Sequence, residues 1–225
     1  MPVVAMVSSK GGAGKTTSAL ILAGEIASAG RSVIMVDADP NQPLQAWAER
    51  PGKPDNIEVV IDESADTIID TIEDAKSRSD FVIVDLEGTA TDRIGFAVTQ
   101  SDLVLIPVQG SVLDANEAAK SIKLIRQMSR VSNREIPYAV FFTKKSAAIK
   151  EKTFRDIEAQ FSTAGVPLLD TAIVDRAAYR AMFSFGGTIR TIENKQVSGL
   201  KAARENAQAF GQSVINQLKQ KRAAA

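Results

Sequence analysis

Apolar residues along this chain gather in short continuous runs, and the stretches between them carry a helical period. Met1–Val7, Arg31–Asp37, Ile57–Ile61, Asp80–Asp85, Leu103–Pro107 and Tyr138–Phe142 each hold four or more apolar residues in close succession. Runs of this kind suit parallel strands buried on both faces, since a half-wet strand would alternate. The intervening pattern predicts helices over Lys15–Ser28 (closed by Gly30), a short stretch containing Trp47, Ala65–Lys76, Thr91–Thr99, Asp114–Ser129 and Lys150–Phe161. A Pro51–Pro54 loop follows the Trp47 stretch, and Val166–Leu169 reads as a short extended piece. The last helix, Ser198–Lys219, lines up Ala203, Ala207, Phe210, Val214 and Leu218 on one face. Strand and helix alternate throughout, which predicts an α/β domain over residues 1–225: a doubly wound, mostly parallel sheet flanked by helices.

In that architecture a ligand sits at the carboxyl ends of the strands, and three polar motifs fall there. After the first run comes Ser8-Ser9-Lys10-Gly11-Gly12-Ala13-Gly14-Lys15-Thr16-Thr17. A strand feeding a glycine-rich turn that opens a helix is a phosphate site: glycines let N–H groups point inward, and the helix N-terminus adds positive partial charge. Gly14-Lys15-Thr16 is the catalytic end of a P-loop, with Lys15 for the β- and γ-phosphates and the Thr16 hydroxyl for Mg²⁺. The usual first glycine would fall at Ser9, beside a second lysine, Lys10. The second run ends in Asp37-Ala38-Asp39-Pro40, and Asp37 also suits a helix N-cap before Pro40. The fourth run ends in Asp85, the Walker B pattern in which the acid holds Mg²⁺ directly or through water. Thr16, Asp37 and Asp85 are therefore the candidate metal residues. Asp39 is the candidate to orient the attacking water. Glu87 is a further candidate for that task and ranks below Asp39, because Leu86 occupies the adjacent position where many P-loop ATPases keep a catalytic glutamate.

Composition narrows the chemistry. The chain has no cysteine and no histidine, which excludes disulfides, thiolate–zinc sites and histidine-based nucleophilic triads. Lys+Arg and Asp+Glu balance at 27 each, so any affinity for nucleic acid must come from local patches. Apolar runs fall short of the ~20 residues of a membrane span, and the N-terminus lacks a signal-peptide layout, which predicts a cytoplasmic protein.

Lys10-Gly11-Gly12-Ala13-Gly14-Lys15-Thr16-Thr17 resembles the deviant Walker A motif of the ParA/MinD family of ATPases. The likeness continues through Asp37–Trp47, Ser101–Val108 with Leu113-Asp114, and Leu169–Tyr179, which resemble the small, ParF-type ParA proteins. It covers nearly the whole chain, and the likeness to the small members implies a single domain without an N-terminal helix-turn-helix domain. In close relatives positions 87 and 88 are often Pro-Pro or small residues, so Glu87-Gly88 departs from the pattern.

The resemblance implies a weak, partner-stimulated ATPase with ATP and Mg²⁺ as cofactors. Residues 10–17 would bind nucleotide, and Lys10, Lys15 and Asp39 would carry catalysis. The ATP form would be a sandwich homodimer in which Lys10 reaches the other subunit's phosphates, with Val108–Asp114 near the interface. Such dimers coat double-stranded DNA without sequence preference until a ParB-like or cargo-adaptor protein triggers hydrolysis, which implies nucleoid association. The cycle positions a plasmid, chromosome or protein cluster. Two basic stretches offer a DNA surface. Lys144, Lys145, Lys150, Lys152 and Arg155 stand against Glu151, and Lys195, Lys201, Arg204, Lys219, Lys221 and Arg222 stand against Glu205. Lys144, Lys145, Arg176, Lys195, Lys201 and Arg204 are the candidate DNA contacts, and Thr143-Lys144 with Asp175-Arg176 are candidates for touching the base. The rival readings are a MinD-like ATPase that cycles on membranes through an amphipathic last helix, and a metabolic P-loop enzyme.

Overall fold

The computed structural model describes residues 1–88, 92–144 and 151–224. Six parallel strands form one sheet in the order β3-β2-β4-β1-β5-β6. They are β1 (Val3–Met6), β2 (Val33–Ala38), β3 (Ile57–Ile61), β4 (Phe81–Leu86), β5 (Leu103–Val108) and β6 (Tyr138–Phe142). The chain leaves β1 in one direction to build β2 and β3, then returns through β4, on β1's other flank from β5. The order thus reverses at β1, and the crevice outside its carboxyl end is the topological switch point where ligands bind.

Side-chain alternation along each strand divides the interior into two cores. Val4, Met6, Met35, Ile83, Leu105 and Phe141 face a layer made of α1 (Lys15–Ser28), α2 (Pro43–Ala48), α7 (Ala177–Phe185) and α8 (Leu200–Ala224). Val3, Ala5, Val36, Val84, Ile106 and Phe142 face α3 (Ile68–Arg78), α4 (Asp92–Thr99), α5 (Val112–Val131) and α6 (Glu151–Thr163). Every residue of β1, β2 and β5 is buried, as the uninterrupted apolar runs predict.

The pattern-based reading differs from the structure at α7, which it left without a helix. Ala178, Tyr179, Ala181 and Met182 bury one face of α7, but its N-cap is Arg176, whose side chain makes no capping bond. The usual start signal is missing. The extended piece at Val166–Leu169 lies along β6 without becoming a full strand. Val140 N donates to Pro167 O and Leu169 N to Val140 O, at 2.8 and 2.9 Å.

Helix α8 is locked to its own domain by the face picked out in the sequence. Ala203, Ala207, Phe210 and Val214 are fully buried, and the Phe210 ring lies 5.1 Å from that of Phe141. A buried phenylalanine cut to alanine loses transfer energy and leaves a cavity, together about 3–5 kcal/mol. Phe210→Ala is expected to lower stability by that amount in urea unfolding, with the midpoint falling and the slope unchanged.

Candidate nucleotide site

Geometry at the switch point begins with the turn between β1 and α1. Gly14 precedes α1 with φ 101° and Gly12 has φ 73°, conformations that strain any side chain. The carbonyls of this turn are held by side chains that follow β5 and β6. Thr143 Oγ1 donates to Ala13 O at 2.7 Å, while Gln109 Nε2 and Lys144 Nζ donate to Gly12 O at 2.7 and 2.8 Å. In a trans peptide the C=O and the following N–H point opposite ways. The N–H groups of Ala13 and Gly14 therefore face away from these three side chains, as an anion cradle requires.

Below the turn lie the acids. Asp85, next to last in β4, is completely buried, and among the described residues neither of its carboxylate oxygens has a hydrogen-bond partner. Burial pushes its pKa up from 3.8 to about 7; Thr16 and the Lys15 ammonium oppose the rise, Thr16 being near without reaching hydrogen-bond geometry. Lys15 is itself buried, which lowers its pKa against the raising fields of Asp85, Asp39 and Glu87. An orphaned buried carboxylate beside a threonine hydroxyl and a lysine fits a hydrated Mg²⁺, which keeps most of its water and takes few protein oxygens. Among the described residues no group of three or more acids forms a dedicated metal cage.

Asp37 is paired in register with Asp85 across β2 and β4, and its carboxylate is already occupied. Oδ2 accepts from the backbone N–H of Leu44 and Gln45 at 2.8 and 2.9 Å, capping α2. Burial raises its pKa against those bonds. Of the two roles open to Asp37, capping is the one this geometry displays. Asp39 stands two residues on, half-exposed, with Oδ1 accepting from both the backbone and the side chain of Asn41.

Lys10 folds onto its own subunit. Its Nζ lies 2.7 Å from Asp114 Oδ1 at the start of α5, and Ser9 Oγ donates to Glu117 Oε2 at 2.7 Å. The residue in place of the usual glycine and its neighbouring lysine thus pin the turn to α5. Nothing in the sequence signalled this, because acids in a first helical turn have a sufficient local reason to be there. Beside the turn opens a cavity of about 370 Å³ whose lining includes Gly14, Thr17, Thr143, Lys144, Asp175 and Arg176. The two pairs of residues expected near a base are brought together there, and the buried Arg176 Nε has no hydrogen-bond partner. Tyr179 and Asn206 hold the cavity's outer wall: Tyr179 Oη donates to Ala203 O, and Asn206 Oδ1 accepts from Val174 N. A larger groove of about 610 Å³ lies between the far end of α1 and α8, and it shares none of these residues.

The expected DNA contacts are dispersed. The guanidinium of Arg204 donates to the carbonyls of Ile189, Arg190 and Ile192, clamping that loop. Lys144 and Arg176 belong to the nucleotide crevice. Lys195 pairs with Glu193, and Lys201 is exposed. Lys145 and Lys150 lie outside the described residues, as does Thr91.

Comparison with known proteins follows the geometry closely. The family model described as VirC1 protein matches residues 1–218. Protein ParA of Rhizobium radiobacter is 40% identical over 218 residues, covering 97% of this chain and 98% of that one. The chain belongs to the VirC1 family and is a ParA-type protein. Solved structures share the fold at low identity. A Cyanothece McdA variant in complex with ATP has a TM-score of 0.73 at 15% identity, over 95% of this chain and 96% of that chain. MinD of Pyrococcus horikoshii, complexed with Mg-ADP, has a TM-score of 0.73 at 15% identity, over 98% of both. Among the described residues no helix is long and apolar enough to cross a membrane.

The raised Asp85 pKa carries a pH signature. Between about pH 4 and about pH 7 the unfolded chain releases this proton while the folded chain keeps it, so folding stability falls as pH rises through that window and levels off above it. Asp85→Asn has no such proton to lose. In chelator without nucleotide, denaturant unfolding is expected to show the variant gaining on wild type across the window. A constant gap would contradict the buried, unpartnered carboxylate.

Proposed function

We propose that this ParA-type protein is an ATPase whose ATP-bound form is a positioning switch. The observation that carries the reading is the buried, unpaired carboxylate of Asp85 beside Lys15 and Thr16, under a turn built to cradle phosphate. Thr16 and Asp85 would hold Mg²⁺, which when bound supplies charge neutralisation to the phosphates. The Lys15 ammonium neutralises the developing charge on the phosphoryl group, and Asp39 accepts a hydrogen bond from the attacking water and orients it. The cavity beside Gly14 takes the base, with the unpartnered Nε of Arg176 available to a ring nitrogen or carbonyl.

The dimer and its DNA affinity rest on the family resemblance together with the state of Lys10. Its side chain is 44% exposed and, among the described residues, its Nζ is tied to Asp114 at the edge of α5. Surface ion pairs are worth about 0–1 kcal/mol, and the buried Asp114 puts this one toward the upper end. Release of Lys10 leaves the buried Asp114 carboxylate still held by the Ser111 hydroxyl, and contact with a second subunit's phosphate would offset the lost pair. In this reading ATP closes a homodimer, the dimer binds double-stranded DNA without sequence preference, and a ParB-like or cargo-adaptor protein stimulates hydrolysis. The cargo would be a plasmid, a chromosome or a protein cluster, and the protein would sit in the cytoplasm on the nucleoid. Burial of the apolar face of α8 favours this reading over a membrane-cycling one, since that face is already used within the domain.

Binding to non-specific duplex DNA with ADP, ATP and a non-hydrolysable analogue tests the switch. Binding is expected only in the ATP and analogue states. It should weaken at least tenfold between about 50 and about 200 mM salt, and vanish in Lys10→Ala. No DNA binding in any state would overturn it, and liposomes and metabolite-stimulated ATPase assays would then take over.

A further inference from the structure

Beyond Asp85, the chain of β4 carries a second acid into the crevice. Register pairs Asp37 with Asp85 and Ala38 with Leu86 across β2 and β4. Strand side chains repeat every two residues, so Asp39 and Glu87 continue the same two rows one step beyond the paired segment. The backbone next to Glu87 is pressed against the phosphate turn. A Cβ on Gly88 would stand 3.1 Å from Gly11 N and 3.3 Å from Lys10 C, closer than most side-chain contacts. Glu87 thus stands where the turn meets the end of β4, and its field reaches the Lys15 ammonium together with those of Asp85 and Asp39.

A further carboxylate beside a triphosphate would repel it unless its charge were balanced. The balance is present. Arg93, near the start of α4 and buried, places Nη2 3.2 Å from Glu87 Oε1, while its Nη1 donates to Asp62 O at 3.0 Å. Asp62 follows β3, and its N–H donates to Asp37 O, so the arginine ties the ends of β3 and β4 together. A buried arginine held by a backbone carbonyl at one nitrogen and a carboxylate at another fixes that carboxylate in place.

We propose that Glu87 is a second acid of the hydrolytic site, sharing with Asp39 the orientation of the attacking water, and that Arg93 positions it. The inference rests on the ATPase reading above. The water oxygen bonds to the γ-phosphorus as the bond from that phosphorus to the β–γ bridging oxygen breaks. ADP leaves with the bonding pair, and the water's proton passes to the released phosphate. Glu87 accepts a hydrogen bond from the water and retains no proton, which suits a loose transition state that needs placement more than base strength.

Single-turnover phosphate release and fluorescent-ATP binding, each with Mg²⁺, test this on wild type, Glu87→Gln, Arg93→Ala, Arg93→Lys and the double variant Glu87→Gln/Arg93→Ala. Glu87→Gln is expected to slow hydrolysis at least tenfold while nucleotide affinity stays within about twofold. Arg93→Ala should slow hydrolysis and also weaken ATP binding, because Glu87 loses its guanidinium partner. Adding Glu87→Gln to it should restore affinity and leave hydrolysis slow, and Arg93→Lys should recover part of the rate. Circular dichroism melts identify any variant that fails to fold, and Arg93→Lys carries the arginine test if Arg93→Ala does. Wild-type hydrolysis matched by Glu87→Gln would overturn this inference alone, as would a Glu87→Gln defect confined to affinity. Wild type that neither binds nor hydrolyses ATP would overturn the ATPase reading itself.

Discussion

A carboxylate kept out of water without a partner is the constraint on which the rest of the crevice depends. Asp85 sits at the end of a central strand with nothing to hydrogen-bond, in surroundings that push its pKa to about 7. Leaving a buried polar group unsatisfied costs about 1–3 kcal/mol, and a charged one more. A fold carries such a defect where a ligand relieves it. The neighbouring groups fit that role. Lys15 is buried against its own preference, and Asp37 is consumed in capping α2. Asp85 is thus a strand-end acid left unpaired among the described residues, placed where a cation bridging it to phosphate would satisfy both.

The strain of the site is offset by rigidity around it. Behind the phosphate turn, Thr143, Gln109 and Lys144 hold carbonyls, and Ser9 and Lys10 engage α5. These contacts join the ends of β1, β5 and β6 to the start of α5, so the turn is braced by the elements that would respond to a second subunit. Lys10 is an exposed member of this set, and its ion pair with Asp114 links the turn to α5.

Much of this was legible in the sequence, for a physical reason. Parallel strands covered on both faces must be apolar throughout, so β1, β2, β4 and β5 announce themselves, and the acids near the ends of β2 and β4 mark the ligand side. Glycines at Gly12 and Gly14 are visible because positive φ excludes other residues. Helix α7 was not legible because it is short and begins without a capping side chain. Contacts between Lys10 and Asp114 were hidden for a different reason. They join positions 104 apart in sequence, and each residue has a sufficient local explanation. The bonds from the Arg204 guanidinium to three loop carbonyls were hidden because a basic residue on the last helix reads as solvent-facing.

Glu87 and Arg93 show how structure changes the weight of a residue that the sequence already exposed. Read alone, Glu87 is an acid in the wrong place, two residues beyond Asp85 with leucine between. Register across β2 and β4 makes it the counterpart of Asp39, and the buried Arg93 explains how a fourth acid can stand near a triphosphate without driving it away. The arginine lies six residues downstream on another element, a spacing that carries no local signal. An acid and its counter-ion at a phosphate site matter only as a pair, and the pair exists only once the strand order has been set.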